Sequence, residues 1–185
     1  MGGDEGEGGP NLFCLPPPSS SPIEGGGDFG IFMKNEHRAP WECVYAKEEK
    51  SHCKVGKRPR SDQKYFEILC LCLLQAGLSW GSIRKHWQKY KKGFYDFDIH
   101  RLSKTKTREL LKDPRVVKNG KKVEAIIYNA KEFQEIKREY GSFAHFLKAL
   151  HQLGHEAMLQ SLMKQFKHIG AYTAEYYLHS VGYSE

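Results

Sequence analysis

Between Val123 and Ile136 the apolar residues Val123, Ile126, Ile127, Ala130, Phe133 and Ile136 recur three or four positions apart. That spacing gathers them on one face of a helix, whereas a strand would need strict alternation. The intervening positions are rich in Lys and Glu, so this helix has one wet side and one side that other elements must cover. The neighbouring segments supply the cover, and they too are helical. Ser61 or Asp62 is placed to cap a first helix, in which Phe66, Leu69, Cys70 and Leu73 follow at helical spacing. It is apolar on more than one face and is therefore expected at the centre, with Gly77 ending it. A second helix is predicted from about Ser79 to Tyr90, with Trp80, Ile83 and Trp87 on one side and Arg84, Lys85, Lys89, Lys91 and Lys92 on the other. A third element is expected near Lys104–Lys112, terminated with the help of Pro114. After Gly141, Ser142 can start a helix carrying Phe143, Phe146, Leu147 and Leu150. Gly154 separates it from one carrying Met158, Leu159, Leu162 and Met163, and a last helix holds Ala174, Tyr177, Leu178 and Val181. No long alternating run argues for strands, so the expected fold class is all-α, a compact array of roughly seven or eight short helices.

Three stretches are expected to differ in character. Fourteen of residues 1–30 are Gly or Pro, a composition that buries little apolar surface and is expected to stay disordered. Residues 31–60 form a variable segment in which Trp41, Val44 and Tyr45 can dock on the domain. It ends in the basic stretch Lys54–Arg60, read as a linker, with a nuclear address or a phosphate contact as alternatives. Residues 61–185 are the helical domain. Charge divides along the same line. The net is +7, yet residues 1–30 hold five acids and no Lys or Arg, which leaves about +12 for the other 155 residues. A folded part this basic suits a polyanionic partner as well as it suits ordinary solvated helix faces. The five cysteines, Cys14, Cys43, Cys53, Cys70 and Cys72, are odd in number and no secretory signal precedes them, so reduced thiols inside a cell are expected. The longest apolar run, Ile68 to Leu74, is too short to span a bilayer.

The segment QFKHIGAYTAEYYL, ending at Leu178, reads as two helices joined by a tight turn through Lys167, His168, Ile169 and Gly170. The second helix is expected to begin near Tyr172, where its first N–H groups lack intrahelical partners and point out of its end. Gly170 allows the backbone to approach another surface closely, and exposed donors at a helix start hold phosphate. Ile169 is expected to pack between the two helices, and Thr173 to cap locally or touch phosphate. Lys167, His168, Gly170, Ala171, Tyr172 and Thr173 are therefore the candidate DNA-binding residues. A plain helix–turn–helix with a glycine turn fits the same stretch.

The turn resembles the helix–hairpin–helix signature L-P-G-[VI]-G-x-x-T-A, with Lys167 and His168 in place of its Pro-Gly half. The run SDQKYFEILCLCLLQAGLSW, ending at Trp80, resembles DNA-3-methyladenine glycosylase I, the Tag-type family of the helix–hairpin–helix DNA glycosylases. A second block, Leu110 to Phe133, keeps Asp113, Val117, Lys122, Val123, Ala125, Asn129 and Ala130 of that family's pattern. The likeness covers about residues 61–182. It implies a compact multi-helix domain of the glycosylase type. It also implies base-excision repair of double-stranded DNA by cleavage of the N-glycosidic bond of 3-methyladenine, by an enzyme expected to act as a monomer. The target base must leave the stack first. The family stacks it on an aromatic that Trp80 matches, although a core tryptophan is the alternative. A cationic methylated purine suits the negative face of an indole. Gln75 and Ser79 are expected to shape the pocket.

Two departures accompany the likeness. Cys72 stands where the family places a pocket glutamate; a neutral thiol supplies neither the charge nor the acceptor, so Cys72 joins Trp80, Gln75 and Ser79 as a candidate pocket residue. Glu67, five residues earlier, matches a different family position. The family also carries a structural zinc on Cys and His from both ends of the domain. The second pair would fall beyond Glu185, so the domain is expected to be short at that end. Cys43, His52 and Cys53 of the variable segment remain only as candidate ligands, and no zinc or other cofactor is expected. Location follows the substrate: the cytoplasm in a prokaryote, the nucleus in a eukaryote. A non-catalytic DNA-binding relative is the alternative function, and a helical interaction module a third.

Overall fold

The Ser61 hydroxyl accepts a hydrogen bond from the Lys64 amide and starts α1 (Asp62–Gln75), as the cap at that position predicts. The computed structural model describes residues 56–78 and 80–183, with side chains throughout except at 80, 81 and 84. The tail expected over 1–30, the segment 31–55, the candidate ligands Cys43, His52 and Cys53, and Ser79 lie outside these residues. Within the described residues the fold is all-α. After α1 come α2 (Trp80–Gly93), α3 (Ile99–Lys104), α4 (Thr107–Leu110), α5 (Gly120–Tyr140), α6 (Phe143–His151), α7 (His155–Gln165) and α8 (Ala171–Ser180).

Every residue of α1 from Tyr65 to Leu74 is buried, which is what its apolar character on all sides demands. It packs on α2, α5, α6 and α8 and forms the axis of the domain. The stripe read from the sequence of α5 is the buried face of that helix, from Val123 to Ile136. An aromatic cluster locks these helices together. Phe133 of α5 stacks on Phe143 of α6 at 4.1 Å, and Phe66 of α1 meets Phe133 edge-on at 5.1 Å. Phe166, at the end of α7, packs on both Phe133 and Phe143. Each such buried ring contributes roughly 1.5–3 kcal/mol through area alone. The cluster reaches the residue next to the Lys167–Gly170 turn and holds that turn against the core.

Two stretches differ from the sequence-based expectation. α2 runs to Gly93, beyond Tyr90, because Lys91 and Lys92 suit the negative end of a helix. Gly93 also passes close to Val116; a Cβ there would sit 2.9 Å from a Val116 methyl. The single element expected near Lys104–Lys112 is instead two short helices, α3 and α4. The Asp98 carboxylate caps α3 by accepting from the Arg101 amide at 2.6 Å. Before it, Tyr95, Asp96 and Phe97 form a left-handed turn with φ of +55°, +53° and +57°. Left-handed backbone costs roughly 1–2 kcal/mol per non-glycine residue. Gln63 offsets part of it by donating to the carbonyls of Asp96 and Phe97, and Phe97 stacks on Trp87 and Phe94.

Gly56, the first described residue, donates its amide to the His179 carbonyl at 2.9 Å, and Arg58 lies over the Tyr183 ring at 4.4 Å. The described end of the basic stretch thus runs along the C-terminal end of α8.

Candidate nucleic-acid interface and base pocket

The turn between α7 and α8 leaves α7 at Phe166, which is buried, and exposes Lys167 and His168. Ile169 turns back into the core and is buried, as its place between two helices predicts. His168 has φ +59°, the left-handed value that the usual signature reserves for glycine. Histidine is among the residues that tolerate it best, which is how a Lys-His pair can replace Pro-Gly here. α8 then starts without a side-chain cap. Its first intrahelical bond runs from the Ala174 amide to the Gly170 carbonyl at 2.9 Å, so the amides of Ala171, Tyr172 and Thr173 precede the ladder. Gly170 has an ordinary φ of −90°, and a Cβ added to it would meet nothing within 4 Å. Neither backbone strain nor internal packing therefore requires glycine at this exposed position.

The other candidates are disposed as follows. Ala171 and Tyr172 are exposed; Tyr172 is 76% exposed and stacks on Tyr176. Thr173 is half-buried. The Lys167 ammonium folds back to the Glu124 carboxylate at 3.1 Å and over the Tyr128 ring at 4.6 Å. Beside the turn an open cavity of about 340 Å³ is lined by Lys121, Glu124, Lys167 and His168. The cavity thus gathers two ammonium groups and an exposed imidazole around one carboxylate, beside the uncapped start of α8.

The turn is held from beneath by a residue whose role the sequence pattern did not disclose. Asn129 of α5 is 0% exposed. Its Oδ1 accepts from the Lys167 amide at 2.8 Å and its Nδ2 donates to the Lys167 carbonyl at 3.1 Å. The available signal was a polar residue inside an apolar stripe, since a buried amide needs partners.

The second candidate group lies around the α1–α2 turn. Gln75 is the half-buried last residue of α1, and Trp80 is the first residue of α2. The Leu78 amide donates to the Gln75 carbonyl at 2.7 Å, and Gly77 adopts φ +74°. The Lys122 ammonium reaches across from α5 and donates to the carbonyls of Leu74 and Ala76 at 2.6 and 2.5 Å. A cation suits the carbonyl end of a helix, and burial lowers the pKa of this one. Cys72, three residues before Gln75, is 1% exposed in the α1 core, and burial pushes its thiol up, so it is neutral. Glu67 is committed elsewhere: it lies 3.1 Å from the Lys64 ammonium and 3.3 Å from that of Lys91, clamping α1 to α2. Asp62, the other acid of α1, accepts from the Phe143 amide. Asp113, retained from the second sequence block, is a turn residue; the Arg115 guanidinium and amide hold its carboxyl down at about 2.

Residues 50–182 match the methyladenine glycosylase family. The chain belongs to that family. A DNA-3-methyladenine glycosylase of Haemophilus influenzae is 30% identical over 114 residues, which is 60% of this chain and 62% of the relative. DNA-3-methyladenine glycosylase 1 of Escherichia coli is 30% identical over 93 residues, 48% of this chain and 50% of the relative. The chain thus spans between half and about three-fifths of these curated relatives. In three dimensions it is similar to 3-methyladenine DNA glycosylase I from Staphylococcus aureus, a structure concerned with recognition of 3-methyladenine. The TM-score is 0.62 at 26% identity, covering 70% of this chain and 80% of the other. A further 3-methyladenine DNA glycosylase I structure, 23% identical, shares the fold at a TM-score of 0.62 over 80% of this chain and 90% of that one.

The candidate zinc ligands Cys43, His52 and Cys53 lie outside the described residues. Among the described residues no group of three His, Cys, Asp or Glu side chains is placed to hold a metal ion, and Cys70 and Cys72 are buried thiols kept protonated by that burial.

Proposed function

We propose that this chain is a monofunctional DNA glycosylase of base-excision repair. It hydrolyses the N-glycosidic bond of alkylated bases in double-stranded DNA, 3-methyladenine first among them. The observation that supports this reading is an uncapped α8 start behind a glycine whose Cβ space is empty, within a methyladenine glycosylase fold; such a helix start suits phosphate. The amides of Ala171, Tyr172 and Thr173 bind the phosphates of the strand, with Gly170 giving clearance. The Lys167 amide and carbonyl are both held by Asn129, so Lys167 meets phosphate through its exposed ammonium, which leaves Glu124 at little cost. Such contacts set register and leave the bases unread. Reading falls to the α1–α2 turn, where Trp80 stacks on the extruded base and Gln75 and Ser79 shape its surroundings.

Alkylation at a ring nitrogen makes the base cationic, so it departs neutral and its bond to the sugar is already weak. Selection and positioning of the nucleotide then supply much of the rate, and water completes the hydrolysis. The work belongs where the cell keeps its DNA. One observation favours a second reading, a relative that binds DNA without excising: both acids of α1 are engaged in structural contacts and Cys72 is buried and neutral.

Incubation of the protein with methylated duplex DNA separates the two. Release of free 3-methyladenine above the spontaneous rate supports the enzyme. Salt-sensitive duplex binding with no release above background overturns it in favour of the binding protein.

A further inference from the structure

We infer that α5 is a molecular spacer. Through Lys122 and Asn129, acting as positioning residues, it fixes the distance between the base-holding turn at Gln75–Trp80 and the phosphate-holding turn at Lys167–Gly170. The naming of those two turns rests on the glycosylase reading; the mechanical claim rests on the geometry. Lys122 and Asn129 are seven residues apart in an unbroken helix of 21 residues. Seven residues make about 10.5 Å of rise and fall about 20° short of two full turns, so both side chains leave nearly the same face.

Each holds main chain. Lys122 takes two carbonyls at the end of α1, and Asn129 takes both the amide and the carbonyl of Lys167. Main-chain anchors fix where a turn runs regardless of the side chains it carries. Between and beyond the anchors, Val123, Ile126, Ala130 and Phe133 are buried, so the spacer cannot slide. The same helix also meets the α7 end through Glu132, which accepts from Gln165 at 2.9 Å. A base extruded from a duplex travels a set distance from the phosphates that remain gripped. A misplacement of about 1 Å between the two sites is enough to cost about a hundredfold in rate.

The experiment compares Lys122→Met, Lys122→Arg, Asn129→Ala and Asn129→Asp with the parent chain. Four quantities are measured: binding to unmodified duplex, single-turnover release of 3-methyladenine, hydrogen exchange along the chain, and thermal unfolding. Lys122→Met is expected to bind unmodified duplex within about twofold of the parent, because the grip is remote from the change. It should release base about tenfold more slowly or worse, with faster exchange confined to 75–78. Lys122→Arg, which can still donate to both carbonyls, restores the rate. Asn129→Ala is expected to weaken duplex binding by about tenfold, with faster exchange confined to 166–170. Asn129→Asp keeps the acceptor but sets a buried carboxylate oxygen against the Lys167 carbonyl, and at neutral pH is expected to weaken binding at least as much as Asn129→Ala.

Release by Lys122→Met at the parental rate overturns the spacer. So does a uniform rise in exchange with binding and release reduced in equal proportion, which marks a loss of fold alone. If the parent chain itself releases no base, the glycosylase reading fails by that result. The exchange patterns and the Asn129 binding series then still decide the spacer: local loosening at each anchored turn upholds it, and global loosening overturns it.

Discussion

His168 carries the backbone strain of the Lys167–Gly170 turn. A non-glycine residue at φ +59° costs roughly 1–2 kcal/mol, while glycine there would give back part of that in unfolded-state entropy. His168→Gly is therefore expected to stabilise the protein by about 0.5–1 kcal/mol net, read as a higher urea midpoint at unchanged slope. An unchanged or lower midpoint would mean that the imidazole makes contacts worth more than the strain. Gly170 poses the opposite question, because its missing side chain leaves empty space and its φ is unstrained. Gly170→Ala should fold as well as the parent or slightly better. The added methyl stands where a phosphate would approach the α8 amides, so duplex affinity should fall by about tenfold, the size of one lost charge-assisted hydrogen bond. Equal affinity in titrations of the two proteins would remove Gly170 from the interface. The exposed residues of this turn were legible in the sequence because a helix start and a glycine have local signatures. The Asn129 clamp was not, since its partner is 38 residues away and only the fold brings them together.

At the scale of elements, α1 decides what kind of pocket the domain has. The helix is buried from Tyr65 to Leu74, and Cys72 lies in the middle of that run. A glutamate placed there meets a site where burial already holds the thiol protonated. The carboxyl pKa would be raised above its unfolded value of about 4.3 by about three units, as for other fully buried carboxyls. The sign follows directly: the penalty is fully present above the raised folded pKa and vanishes as pH falls below about 4. Cys72→Glu is thus expected to lose about 4 kcal/mol at pH 8 relative to pH 4, set against the parent, in unfolding titrations across that range. Flat behaviour between pH 4 and 8 would show that the carboxyl reaches water or an open pocket, and the Cys72 position would return to the base site. The α1 and α5 helices could be read from the sequence because each carries a long periodic pattern. The turn at Tyr95–Phe97 could not, because three non-glycine residues in left-handed backbone leave no sequence mark; Gln63, more than thirty positions earlier, supplies the hydrogen bonds that hold it. The short α3 and α4 were hidden for the same reason, having too few residues for a period to show.

For the whole molecule the governing quantity is the distribution of charge. Residues 1–30 bring five acids and no Lys or Arg, and the remainder of the chain carries about +12 against a total of +7. On the proposed reading, duplex binding has two components that respond differently to salt. Backbone amides at the start of α8 release few counterions, whereas Lys and Arg contacts release one each, with a slope near −0.9 per phosphate neutralised. The acidic stretch is expected to act on the second component alone, through long-range repulsion of the duplex. Its reach is set by the screening length, about 30 Å at 0.01 M salt and about 3 Å at 1 M. Deleting residues 1–30 should therefore raise duplex affinity at low salt, steepen the dependence of log K on log salt, and leave affinity unchanged near 1 M. The measurement is a duplex titration of both proteins over that salt range, with unfolding checked in parallel. Coincident curves would mean that the acidic stretch never comes within a screening length of the bound DNA. A gain that persists at 1 M would mean instead that it competes for the interface by direct contact.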